Sequence, residues 1–208
     1  MRGKLIVVEG LDGSGKGTQI TRLTDYIRQQ GQKVHRTAEP TDSVTGGLLR
    51  DALGGLVQRD VYELSALFLL DRIFHNVNTK NGIRKMLDSG YDVICDRYYY
   101  SSFAYQGMEA DLSWVMDMNL HCPEILRPDV CIFLDISPEM GEQRLCADRS
   151  LREIYENTDT QSRVRSRFYE VFDLLRDSEN IKIVDASRSI EAVSADIIKI
   201  YQELKKEN

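Results

Sequence analysis

The run Leu5-Ile-Val-Val-Glu9-Gly10-Leu-Asp12-Gly13-Ser14-Gly15-Lys16-Gly17-Thr18-Gln19 leaves few folds open to this chain. A short apolar stretch ends in a glycine-rich turn carrying one lysine, and a helical pattern follows at once. Glycine tolerates the backbone angles that curl several N–H groups toward one anion. The first turn of the helix adds unpaired amides and the positive end of its dipole. Lys16 adds a mobile cation suited to β- and γ-phosphates. Strand, loop and helix in this order predict a phosphate cradle. Its candidates are Gly10, Asp12, Gly13, Ser14, Gly15, Lys16, Gly17 and Thr18. A bare strand–helix turn needs neither Lys16 nor so many glycines.

The cradle departs from the usual P-loop in one place. That motif puts Ser or Thr directly after the lysine, with its hydroxyl on Mg²⁺. Here Gly17 intervenes and Thr18 comes one residue later. Magnesium is then expected to be held through water, with Thr18, Glu9 and Asp96 as the candidates around it. The G-K-G-T-Q variant resembles the adenylate kinase branch of the nucleoside monophosphate kinases.

At 208 residues the chain reads as one domain, 1–208, with room for a substantial core. Its net charge of −6 offers no basic face in bulk, which argues against a nucleic-acid partner. No apolar stretch approaches the roughly 20 residues of a membrane span, and the N-terminal apolar run is too short for a secretory signal. Cys95, Cys122, Cys131 and Cys146 show no metal-binding spacing. Four free thiols and a cytoplasmic location are the expectation.

Strand-like runs alternate with helical ones. Strands are expected at 4–9, 33–38, 92–95, 129–136 and 181–184. Helices are expected at 18–30, 45–53, 61–89 with a break near Gly82, 112–121, 138–147, 159–176 and 190–205. Five strands separated by helices predict a doubly wound parallel sheet covered on both faces. Ligands in such sheets bind beyond the strand carboxyl ends. The glycine-rich loop, Glu39-Pro40 and Asp96-Arg97 each follow a strand, so they converge on one edge. Asp96 closes its apolar strand as a Walker-B carboxylate does, suited to holding water around Mg²⁺.

The block Asp96-Arg97-Tyr98-Tyr99-Tyr100-Ser101-Ser102-Phe103-Ala104-Tyr105-Gln106-Gly107 makes a resemblance specific. Asp-Arg-Tyr, then Ser, then Ala-Tyr-Gln-Gly resembles the signature of thymidylate kinases. The same order runs through Glu39-Pro40, Phe68-Leu-Leu-Asp-Arg72, Arg127-Pro-Asp129, Tyr155-Glu-Asn157 and Val184-Asp-Ala-Ser187. The resemblance covers nearly the whole chain. It implies a P-loop fold, transfer of the γ-phosphoryl of ATP to dTMP with Mg²⁺, and a homodimer.

Residue roles follow from the resemblance. Arg97 clamps the dTMP phosphate with Arg50 beside it, a task that suits the fixed fork of a guanidinium. Phe68 stacks on thymine and Arg72 reaches its O4 edge. Gln106 bonds the base, Tyr105 crowds the ribose 2′ position, and Asp12 accepts from the 3′-OH. Glu39 and Ser101 complete the acceptor side. Residues 144–157, with Arg144, Arg149 and Arg152, resemble the lid. Since Gly13 occupies the P-loop position where some members carry an arginine, Arg149 and Arg152 are the catalytic candidates alongside Lys16, Asp96 and Arg97. The loop after Glu39 departs from the family, with Ala38 before it and Thr41-Asp42 behind.

Two other readings remain. One is a kinase of another nucleoside monophosphate or of a deoxynucleoside, motivated by that altered loop. The other is a GTPase-like switch, but no N-K-x-D occurs, and the D-x-x-G at Asp51–Gly54 falls in a predicted helix.

Overall fold

The computed structural model describes residues 2–146 and 158–206. Its strands are β1 (Leu5–Gly10), β2 (Val34–Ala38), β3 (Asp92–Asp96), β4 (Val130–Asp135) and β5 (Ile181–Asp185). They form one parallel sheet in the order β2-β3-β1-β4-β5. The helices are α1 (Lys16–Gln29), α2 (Val44–Leu53), α3 (Val61–Val77), α4 (Ile83–Asp88), α5 (Tyr99–Tyr105), α6 (Leu112–Leu120), α7 (Pro138–Cys146), α8 (Thr158–Leu175) and α9 (Ile190–Lys206).

Every residue of β1 is buried, because helices cover both faces. Alternation sorts its side chains. Leu5 and Val7 join Val93, Cys95 and Phe133 against α4, α5 and α8. Ile6 and Val8 join Ile94, Ile132 and Leu134 against α1 and α9. Burying each aliphatic side chain contributes about 1.5–3 kcal/mol.

The stretch 61–89 breaks near Gly82, as expected, into two helices. The Asn78 side chain accepts from the Lys80 amide at 2.8 Å, turning the chain out of α3. Gly82 then starts α4, where a Cβ would meet the Asn78 carbonyl oxygen at 2.5 Å. Residues 99–105, where no element was expected, form α5. Aromatic residues are modest helix formers, so this helix depends on its surroundings. Tyr98, Tyr99, Tyr100 and Phe103 are wholly buried. The other predicted elements agree within a residue or two.

β1 lies at the centre, with β3 and β2 to one side and β4 and β5 to the other. The crevice outside the carboxyl ends of the central strands therefore receives the loops after β1, β2 and β3.

Candidate active site

The loop after β1 carries positive φ at Gly10, Gly13 and Gly15. Gly15 caps α1 at φ 89°, a conformation that costs other residues about 1–2 kcal/mol. Gly13 is also required by its neighbour. A Cβ there would lie 2.3 Å from the carbonyl oxygen of Gly141 in α7, and one on Gly141 would lie 2.6 Å from that of Asp12. Helix α7 thus packs backbone to backbone on the loop tip. Arg144, one turn further along α7, donates to the Ala186 carbonyl at 3.0 Å.

Lys16 folds back over the loop, donating to the carbonyls of Gly10 at 2.9 Å and Leu11 at 3.1 Å. Burial pushes its ammonium down to about 8, Arg97 adds to the shift, and Asp12 opposes it. The Asp12 carboxylate stands 3.9 Å from Lys16 and 2.5 Å from the Arg97 guanidinium.

Arg97 has φ 63°, unusual for a residue with a side chain. Glu9 holds the turn in this shape. Fully buried in β1, it accepts from the Tyr98 amide at 2.8 Å, the Ser101 amide at 3.1 Å and the Ser101 hydroxyl at 2.7 Å. It therefore caps α5 from a distant strand. Burial raises its pKa, partly offset by Arg97 and by the Ser101 hydroxyl. Ser101 also accepts from Arg97 at 3.2 Å, and Tyr105 lies under the Arg97 guanidinium with 5.5 Å to its ring centroid. Burial pushes the Tyr105 phenol up to about 12, against the pull of Arg97.

Glu39, at the end of β2, is buried and splits its two oxygens. One accepts from Arg72 at 2.8 Å and the other meets His75 at 3.0 Å. Arg72 is also wholly buried, donating to Asn119 at 2.5 Å and Ser102 at 3.1 Å. Its guanidinium lies 5.4 Å from the Tyr98 ring centroid.

Asp71 anchors the unusual segment after Glu39-Pro40. It accepts from the Thr41 amide at 2.8 Å and from the hydroxyls of Thr41, Thr45 and Ser43 at 2.6, 2.7 and 3.0 Å. Burial favours its neutral form, but these hydrogen bonds outweigh burial and hold the carboxyl below its ordinary range. Arg50 donates to the Thr41 carbonyl at 2.7 Å and stays largely exposed.

One cavity of about 950 Å³ gathers most of the predicted site. The loop from Asp12 to Thr18 lines one end. Glu39, Arg50, Phe68, Arg72, Asp96, Arg97, Ser101, Tyr105 and Gln106 line the rest. Glu9 and Gly10 stand outside that lining. Arg149 and Arg152 lie outside the described residues. On α8, Arg165 chelates Asp135 at 2.7 and 2.8 Å and Arg167 pairs with Glu170 at 2.8 Å, while Arg163 is exposed. Sequence reasoning missed Asp71, His75, Ser102 and Asn119 as supports, although Asp71 and His75 within the apolar α3 were a visible signal.

Among the described residues no cluster of three or more His, Cys, Asp or Glu could hold a metal ion. Asp96 nonetheless presents a buried Oδ1 with no hydrogen-bond partner among them. An orphaned carboxylate oxygen beside a phosphate cradle fits Mg²⁺, which keeps much of its water and takes few protein ligands. Cys95, Cys122 and Cys131 are free thiols. No described helix is long and apolar enough to cross a membrane.

Residues 8–197 match the thymidylate kinase family. The chain is 36% identical to a probable thymidylate kinase of Pyrococcus abyssi, over 97% of each protein. It is 35% identical to a thymidylate kinase of Caldicellulosiruptor saccharolyticus over 99% of each, and 35% identical to a probable thymidylate kinase of Methanosarcina barkeri over the full length of both. With its glycine-rich loop and its Asp96-Arg97 turn opening on one cavity, this chain belongs to the thymidylate kinase family.

Proposed function

We propose that the chain transfers the γ-phosphoryl group of ATP to dTMP, giving ADP and dTDP. The observation that carries this reading is the carboxylate of Asp12, which bonds Arg97 at 2.5 Å and stands 3.9 Å from Lys16. The donor grip and the acceptor grip are thereby set against each other across one cavity. Phosphoryl transfer asks for alignment and charge neutralisation more than for covalent chemistry. The loop amides and Lys16 hold the donor phosphates. Arg97 and Arg50 hold the acceptor phosphate, whose own oxyanion attacks, so no general base is needed. When bound, Mg²⁺ would neutralise charge on the donor phosphates; Asp96 and Thr18 would hold it through water, while the Glu9 oxygens are taken by Tyr98 and Ser101. Phe68 stacks on thymine, Arg72 donates to O4, Gln106 bonds the base and Tyr105 crowds the 2′ position. Asp12 also takes the 3′-OH. Arg149 and Arg152 supply lid charge to the migrating group.

The whole chain acts as one kinase domain in the cytoplasm and as a homodimer. Leu70, Phe74 and Val77 form an exposed apolar stripe at helical spacing on α3, with Val44 and Leu48 exposed on α2. This supports a face shared between copies. Steady-state assays of Arg97→Ala test the acceptor assignment. Loss of two charge-assisted bonds predicts a fall of about 10³-fold in kcat/KM for dTMP, with ATP affinity little changed. An unchanged kcat/KM for dTMP removes Arg97 from the site.

A further inference from the structure

Behind the acceptor side a hydrogen-bonded chain runs from β2 to the Arg72 guanidinium. The Thr37 hydroxyl on β2 meets His75 Nε2 at 2.6 Å. His75 Nδ1 meets Glu39 Oε1 at 3.0 Å, and Glu39 Oε2 accepts from Arg72 at 2.8 Å. His75, Glu39 and Arg72 are each buried, so each link is shielded from water. The Nδ1–H tautomer satisfies both contacts, since Nδ1–H donates to Glu39 and Nε2 accepts from the Thr37 hydroxyl. Thr37 and His75 also line a second cavity of about 520 Å³.

We infer that His75 is a positioning residue for base selection, acting through Glu39 on the Arg72 guanidinium. The inference rests on the reading that Arg72 meets the thymine O4. A carboxylate with one oxygen unheld can rotate, and the acceptor it presents to Arg72 Nε then moves, leaving the third arm of the guanidinium loose. His75 removes that freedom by occupying Oε1. Asn119 and Ser102 fix the other arms of Arg72. A rigid donor at this place favours a carbonyl and disfavours an amino group. Thymine presents O4 there, whereas cytosine presents its N4 amino group. The chain from Thr37 to Arg72 is thus a discrimination device, and the second cavity lies against its far end.

The test is steady-state kinetics of His75→Ala, His75→Asn and Arg72→Ala with dTMP, dCMP and ATP varied in turn. Loss of a hydrogen bond to a charged group predicts a rise of about 10–100-fold in KM for dTMP in His75→Ala, with a matching loss of dTMP preference over dCMP. KM for ATP stays unchanged. The Asn side chain can donate where Nδ1–H did, so His75→Asn restores most of the preference while it cannot reach Thr37. A merely structural role moves both substrates together in both variants. If Arg72→Ala raises KM for dTMP and neither His75 variant does, the inference is overturned and the reading of Arg72 stands. If Arg72→Ala leaves dTMP unaffected, the reading of Arg72 itself fails. Should His75→Ala not fold, His75→Gln keeps the test open, because its amide overshoots the Nδ1 position. Full dTMP preference in that variant also overturns the inference.

Discussion

Lys16 gives the sharpest quantitative expectation. In the free protein its ammonium is pushed down to about 8, first by burial and second by Arg97. Nucleotide phosphates restore the charged form, and by reciprocity the charged form binds them better. Between pH 7.5 and 9 the protonated fraction falls from about three-quarters to about one-tenth. The dissociation constant for ATP should therefore rise about eightfold over that interval and then steepen toward tenfold per pH unit. Calorimetric titration in buffers of different ionisation enthalpy measures both the affinity and the proton taken up on binding. In Lys16→Arg the cation stays charged, so the rise should vanish. The same residue links pH to stability. Its folded pKa lies below the ordinary 10.5, so the unfolded chain binds more protons between pH 8 and 10.5. Stability from this group therefore rises with pH there, by about 3 kcal/mol, seen as the difference between wild type and Lys16→Met. A flat ATP affinity from pH 7.5 to 9.5, or an unchanged rise in Lys16→Arg, would refute the reasoning.

Three substitutions test the rest of the site. Gly13→Ala forces a left-handed residue and a 2.3 Å approach to Gly141, and should cost about 2–4 kcal/mol in urea unfolding. Asp71→Asn replaces one of the two oxygens that share four hydrogen bonds and removes the charge from the other, and should cost about 1–3 kcal/mol at pH 7. Because the Asp71 carboxyl titrates below its ordinary 3.8, its advantage is present above that pH and is lost as pH falls through the folded value. Unfolding curves of the two proteins should converge in acid. Asp96→Asn should keep the fold but lower turnover about 10–100-fold and move half-saturation by Mg²⁺ upward, as a magnesium titration of activity will register.

What could be read from the chain was mostly what is contiguous. The phosphate cradle occupies one stretch, and the apolar strands announce themselves as short runs, so element order and the converging loops were legible. Helix α5 was not, because its cap is Glu9, 89 residues from the Tyr98 amide it holds. Its aromatic residues also signal burial rather than helix. The support of Arg72 was hidden for the same reason. Glu39, His75 and Asn119 meet only after β2, α3 and α6 have packed. The need for glycine at both 13 and 141 likewise arises where two distant segments touch backbone to backbone. Asp71-Arg72 inside an apolar helix was a visible anomaly. The resemblance assigned Arg72 to substrate, and the structure adds that Asp71 serves the loop at Thr41–Thr45.

The central claim is the acceptor. ADP release from Mg²⁺·ATP should be measured with dTMP, dUMP, dCMP, dGMP, UMP, AMP and thymidine at equal concentration. The account predicts the highest kcat/KM with dTMP and a much lower value with dCMP. Any other acceptor ranking above dTMP, or ADP release that does not depend on an acceptor, would contradict it.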